Sequence, residues 1–136
     1  MINPIILEDC ISSKVMRLSR FTANVFRKHI KPFGITESQL ALLFILYTNR
    51  NLNQKRLSEV SLLEKSSLNR NLNRLFTAEL ITKDDFPIIT ITKKGEELLE
   101  TIIPEWQKAM NRMEQLLDKD GLHALNLVLE KVAITQ

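Results

Sequence analysis

The sequence predicts a mainly helical fold carrying one small β-hairpin. Three observations predict it. Apolar residues recur at steps of three and four through most of the 136-residue chain, the pattern of helices that bury one face. Two helices, the first capped by Asn53, meet across a tight turn between Leu52 and Leu75. Just beyond them, Leu80-Ile81-Thr82-Lys83 and Ile88-Ile89-Thr90-Ile91 flank the short turn Asp84-Asp85-Phe86-Pro87, and β-branched residues on either side of such a turn read as a hairpin.

Asn3-Pro4 is a helix-start signal, and Leu7, Ile11, Val15, Leu18, Thr22, Val25 and His29 continue it as one long first helix closed by Pro32 and Gly34. Thr36-Glu37-Ser38-Gln39 is a capping box, with Ile35 and Leu40 placed as a hydrophobic staple for a second helix that turns Leu40, Leu43, Phe44 and Tyr47 inward. Asn53 caps a short third helix stapled by Leu52 and Leu57. A fourth helix, 64–76, buries Leu68, Leu72, Leu75 and Phe76. Thr92 caps a long fifth helix with the stripe Leu99, Ile102, Ile103, Trp106, Met110, Met113, Leu116 and Leu117, in which Pro104 predicts a kink. Asp120-Gly121 then separates a last helix bearing Leu122, Leu125, Leu129 and Val132.

The fourth helix carries the functional signal. From Lys65 to Ala78 there is no acidic residue; Lys65, Arg70 and Arg74 are interleaved with Ser66, Ser67, Asn69, Asn71 and Asn73. A helix that keeps a leucine spine while offering cations, amides and hydroxyls suits a polyanion with readable edges, which points to nucleic acid. Charge is uneven along the chain: residues 1–49 hold six Lys/Arg against three Asp/Glu, residues 50–94 nine against five, and residues 95–136 four against eight, summing to the net +3. A cationic middle beside an acidic tail fits a nucleic-acid-binding core with a separate surface for other contacts; ordinary solvated helix faces give the same pattern.

No apolar run approaches the ~20 residues that span a bilayer, and the segment from Met1 to Asp9 lacks the basic start of a signal peptide. The single cysteine, Cys10, has no intramolecular partner, so a reducing cytoplasm is the expected compartment. Two histidines, His29 and His123, stand apart from any metal-ligand spacing, and no phosphate loop or nucleophile elbow is present. No metal, cofactor or catalysis is expected. Glu96, Glu97 and Glu100 read as an exposed first stretch of helix, where negative charge suits the dipole.

Taken in order, Arg17-Leu18-Ser19-Arg20, Pro32-Phe33-Gly34-Ile35-Thr36-Glu37-Ser38-Gln39, Lys65-Ser66-Ser67-Leu68-Asn69-Arg70-Asn71-Leu72, Ile91-Thr92-Lys93-Lys94-Gly95 and Pro104-Glu105-Trp106 resemble the MarR family of winged-helix transcription regulators. The third run is similar to a recognition-helix signature of one branch, Arg-Thr-Thr-Leu-Thr-Arg-Asn-Leu. The resemblance implies a single domain over residues 1–136, with a winged helix-turn-helix at 36–94 and helices at 1–33 and 95–136 forming a dimerisation layer. It implies a homodimeric repressor on a pseudo-palindromic site in double-stranded DNA. Carried over by position, Ser66, Ser67, Asn69 and Arg70 face bases or nearby phosphates, Lys65 and Arg74 hold the backbone, and Asn73 and Lys83 complete the DNA-facing set. The resemblance also implies an effector. For an oxidant, Cys10 is the candidate sensor, against its plainer reading as a packing residue; for a small molecule, Arg20, His29, Tyr47 and Trp106 are candidate pocket residues, each otherwise a core or interface residue.

Two departures stand out. The wing from Leu80 to Thr92 is shorter than the family's and contains no arginine, with Asp84 and Asp85 near its tip; carboxylates are repelled by the minor groove. Glu79 stands where the family has glycine. The alternative expectation is therefore a winged-helix interaction or antagonist module without specific DNA binding.

Overall fold

A computed structural model describes residues 3–133; residues 1–2 and 134–136, the outer ends of the two terminal helical segments expected from sequence, lie outside the described residues. The described residues are mainly helical with a small antiparallel sheet, in the order α1 (Ile11–Ile30), α2 (Glu37–Thr48), β1 (Leu52–Asn53), α3 (Gln54–Ser61), α4 (Lys65–Thr77), β2 (Ile81–Thr82), β3 (Ile88–Ile91) and α5 (Lys93–Ala133). The chain divides into two compact units, one of Ile30–Glu105 and one joining residues 1–29 to 106–136.

In the unit of Ile30–Glu105, α2 is the central element. Its start is the expected capping box: Gln39 N donates to Thr36 Oγ1 at 3.2 Å and Thr36 N donates to Gln39 Oε1 at 3.1 Å. Leu40, Leu42, Leu43 and Leu46 are all buried, so the helix is covered on more than one side. Tyr47, expected inward, instead lies exposed with the Arg50 guanidinium 5.7 Å from its ring centre. Those leucines already fill the core, and the phenol keeps its hydroxyl in water. Asn53 caps α3 by accepting from Arg56 N at 2.8 Å, and its staple partners Leu52 and Leu57 are both buried.

The hairpin forms as expected, with Ile81 opposite Ile91 and Thr82 opposite Thr90. A third strand, β1, pairs with the other edge of β3 (Leu52 opposite Ile89), giving the order β1-β3-β2. Ile81, Ile89 and Ile91 are buried against the helices.

The unit of residues 1–29 and 106–136 has a different character. Phe26, Ala109 and Met113 are its buried apolar residues, whereas Ile11, Val15, Met16, Leu18 and Phe21 on α1 and Leu127, Val128, Leu129 and Val132 on α5 are exposed. Helix α1 does not begin at Asn3-Pro4. Residues 3–6 are non-helical, a 3-10 turn covers Leu7–Asp9, and the Cys10 carbonyl accepts from Lys14 N at 3.0 Å to start α1. Ile5, Ile6 and Leu7 are exposed, so no packing sustains an earlier helical turn.

Helical backbone continues through Pro104, and the one non-helical residue within α5 is Asp118 (φ 52°, ψ −169°). The break expected at Asp120-Gly121 therefore falls at Asp118, whose Oδ1 accepts from Asp120 N at 3.0 Å and Gly121 N at 3.2 Å. The carboxylate caps the last helical segment, which decides where the break sits.

Candidate nucleic-acid interface

Helices α3 and α4 are joined by Leu62–Glu64, with Leu62 in the left-handed region (φ 60°) and Leu63 N donating to Ser61 Oγ at 3.3 Å. This three-residue turn makes the pair a helix-turn-helix. Leu68, Leu72 and Leu75 of α4 are buried, and Phe76 is half-buried. Lys65, Ser66, Arg70, Asn73 and Arg74 are exposed on the opposite side, with Ser67 and Asn69 intermediate. Among the described residues Lys65, Arg70 and Arg74 make no ion pair, whereas Arg50 and Arg56 are paired with Glu96 (3.4 Å) and Glu59 (2.9 Å). The cations of α4 are thus uncommitted, and α4 itself has no carboxylate to neutralise them.

Three of the polar residues are placed differently from a simple outward face. Asn71 is buried, and its Oδ1 accepts from Gln39 Nε2 at 3.3 Å. It tethers the inner side of α4 to the capping residue of α2, so it belongs to the scaffold. Helical spacing places it three residues from Leu68 and four from Leu75, on the leucine side. Asn69 Oδ1 accepts from Gln54 Nε2 at the start of α3, a bond that does not use its two amide N–H donors. Lys83 does not extend from the wing tip: its ammonium sits 4.9 Å from the centre of the Phe76 ring, pinning β2 to α4 by a cation–π contact.

The wing tip itself is acidic and apolar. Asp84 N donates to Thr82 Oγ1 at 3.2 Å, Phe86 N to Lys83 O and Ile88 N to Asp85 O, both at 3.0 Å. Phe86 is 79% exposed and precedes Pro87 through a cis peptide bond. A groove of ≈ 250 Å³ between α4 and the wing is lined by Gln54, Asn69, Asn73, Phe76, Lys83 and Phe86, among others. The wing and the exposed side of α4 therefore share one surface.

The exit from α4 is a complete Schellman motif: Glu79 N donates to Phe76 O and Leu80 N to Leu75 O, each at 3.0 Å. Glu79 occupies the left-handed position (φ 60°) that glycine takes without strain. Glu79→Gly is therefore expected to stabilise the protein by about 0.5–1 kcal/mol, a rise of roughly 2–4 °C in Tm by thermal denaturation.

The effector candidates do not converge within one unit. Arg20 and His29 lie on α1 and line separate depressions, Arg20 with Val15, Met16 and Arg27, His29 with Lys28, Lys108 and Arg112. Trp106 is half-buried in the same unit, and Tyr47 belongs to the other. Cys10 is exposed at the foot of α1. Among the described residues no three His, Cys, Asp or Glu side chains gather as metal ligands, and no helix is long and apolar enough to cross a membrane.

A helix-turn-helix followed by a hairpin, with a carboxylate-free second helix, defines a winged-helix fold. Residues 35–86 match the model of the MarR family. The chain as a whole shares its fold with solved MarR-family proteins. The transcriptional repressor CouR bound to p-coumaroyl-CoA is 20% identical, with 98% of each chain covered and a TM-score of 0.84. CouR bound to a 23-mer DNA duplex is also 20% identical, covering 96% of this chain and 99% of that chain at a TM-score of 0.80. BpsR of Bordetella bronchiseptica, whose DNA binding is regulated by 6-hydroxynicotinic acid, is 16% identical, covering 96% and 98% at a TM-score of 0.86. No curated protein matches the chain by sequence.

Proposed function

We propose that this protein is a homodimeric, cytoplasmic, non-enzymatic transcriptional regulator, a repressor, that reads the major groove of a pseudo-palindromic operator with α4. The observation that carries the reading is the exposed, unpaired set Lys65, Arg70 and Arg74 on a helix without carboxylates. In this reading Arg70 and the amides of Asn69 and Asn73 contact base edges, while Lys65, Arg74, Ser66 and Ser67 hold phosphates.

The dimer is supported by the apolar residues left exposed on α1 and the end of α5, chiefly Ile11, Val15, Leu18, Phe21, Val128 and Leu129. A helical unit with so few buried side chains lacks a core of its own, and a second copy would complete one. The domain scheme that follows is one functional protomer, with residues 36–94 on DNA and the terminal helices at the two-fold axis. Relatives of the same fold are bound to p-coumaroyl-CoA or regulated by 6-hydroxynicotinic acid, which supports a small organic effector, with Arg20, His29, Tyr47 and Trp106 the residues to probe. An oxidant acting at exposed Cys10 is the competing form of control.

Selection from a pool of random duplexes tests the reading. It should recover two inverted half-sites about 34–36 Å apart centre to centre. Recovery of no common sequence would favour the second reading, a winged-helix interaction or antagonist module, which the Asp84-Asp85-Phe86 wing tip without arginine supports.

A further inference from the structure

The C-terminal end of α4 is held by the first residues of α5. Lys94 Nζ donates to Ala78 O at 2.9 Å, and Thr92 Oγ1 donates to Glu79 O at 2.7 Å while accepting from Gly95 N at 3.1 Å. Thr92 N donates to Leu80 O at 3.0 Å. Three consecutive carbonyls, Ala78 to Leu80, are thereby taken up by the four-residue start of the next helix. Of these, the Ala78 carbonyl is one that the helix C-terminus leaves unsatisfied, and an ammonium there also complements the helix dipole. Within this stretch Glu79 sits in a left-handed conformation that favours glycine.

We propose that Lys94 is a positioning residue for DNA reading: with Thr92 it fixes the C-terminal end of α4, and so the angle at which Arg70 and Arg74 are presented. The inference rests on the DNA-binding reading above. Lys94 is exposed, so its ammonium acts by two separable routes, a brace within the protein or a contact to phosphate. The short bond to Ala78 O assigns it to the brace. Lys83 restrains α4 from the other side of the wing through Phe76. Between them the two lysines hold the last turn of α4 against both ends of the hairpin.

The test compares Lys94→Met and Lys94→Arg with the wild type, measuring operator affinity across salt together with amide hydrogen exchange in the free protein. Lys94→Met should weaken operator binding by roughly three- to tenfold, with the slope of log K against log[salt] unchanged. It should also speed exchange at the Glu79 and Leu80 amides, and Lys94→Arg should restore both. A slope reduced by about one would mean that Lys94 contacts a phosphate directly and overturns the positioning role. Unchanged affinity with unchanged exchange, or faster exchange without loss of affinity, overturns it as well. A wild-type protein with no sequence preference would instead remove the DNA-binding reading, and this inference with it.

Discussion

Arg70→Ala is expected to weaken operator binding by about 1–3 kcal/mol, roughly five- to 150-fold, and to relax base preference at one position of each half-site. Arg70 is exposed at the middle of α4 and carries no ion pair, so removing it leaves no buried group unsatisfied. Circular dichroism and sedimentation should therefore match the wild type. Arg74→Ala is the informative contrast: one turn further along, it should weaken all duplexes alike and reduce the salt slope by about one. Fluorescence anisotropy over several operator variants separates the two outcomes. Equal binding of Arg70→Ala and wild type to every variant would remove α4 from the major-groove role.

Gly95→Ala is expected to destabilise the fold by about 3 kcal/mol, lowering Tm by roughly 10 °C. In an ordinary helix the same change stabilises by about 1 kcal/mol, so even the sign is diagnostic. A Cβ at Gly95 would overlap Leu80 O and lie 2.7 Å from Ile91 Cγ1. Leu80 cannot retreat, because its N–H is bonded to Leu75 O and its carbonyl accepts from Thr92 N. Thermal denaturation of Gly95→Ala is the check, and an unchanged or raised Tm would show that this junction has room to yield.

Much of this architecture was legible in local chemistry. The capping box at Thr36, the Asn53 cap, the leucine spine of α4 and the β-branched pair of strands each depend on residues within a few positions of one another, and each formed. What was not legible depended on distant partners. Asn71 reads from sequence like its neighbours Asn69 and Asn73, and only Gln39, far back in the chain, shows that it faces the core. Lys83 reads as a wing cation until Phe76 is found beneath it. The start of α1 differs from its local signals for a related reason: Asn3 and Pro4 favour a helix start, but Ile5, Ile6 and Leu7 have nothing within the described chain to cover them. Strand β1 is not legible because two residues carry no periodicity, and Leu52 serves equally well as a staple.

The candidate site divides along the same line. Its cations were legible because a stretch without carboxylates is visible in any sequence. The brace that orients them was not, since Lys94 and Thr92 act on carbonyls of Ala78 and Glu79 that no side-chain pattern reveals.

The most direct test of the central claim is an anisotropy titration of the protein against its own upstream DNA and a shuffled duplex, at salt concentrations from 50 to 200 mM. Reading by α4 predicts a preference for the upstream duplex of at least ~10³, with affinity falling steeply as salt rises because several phosphates are neutralised. Equal and weak binding to both duplexes would contradict it.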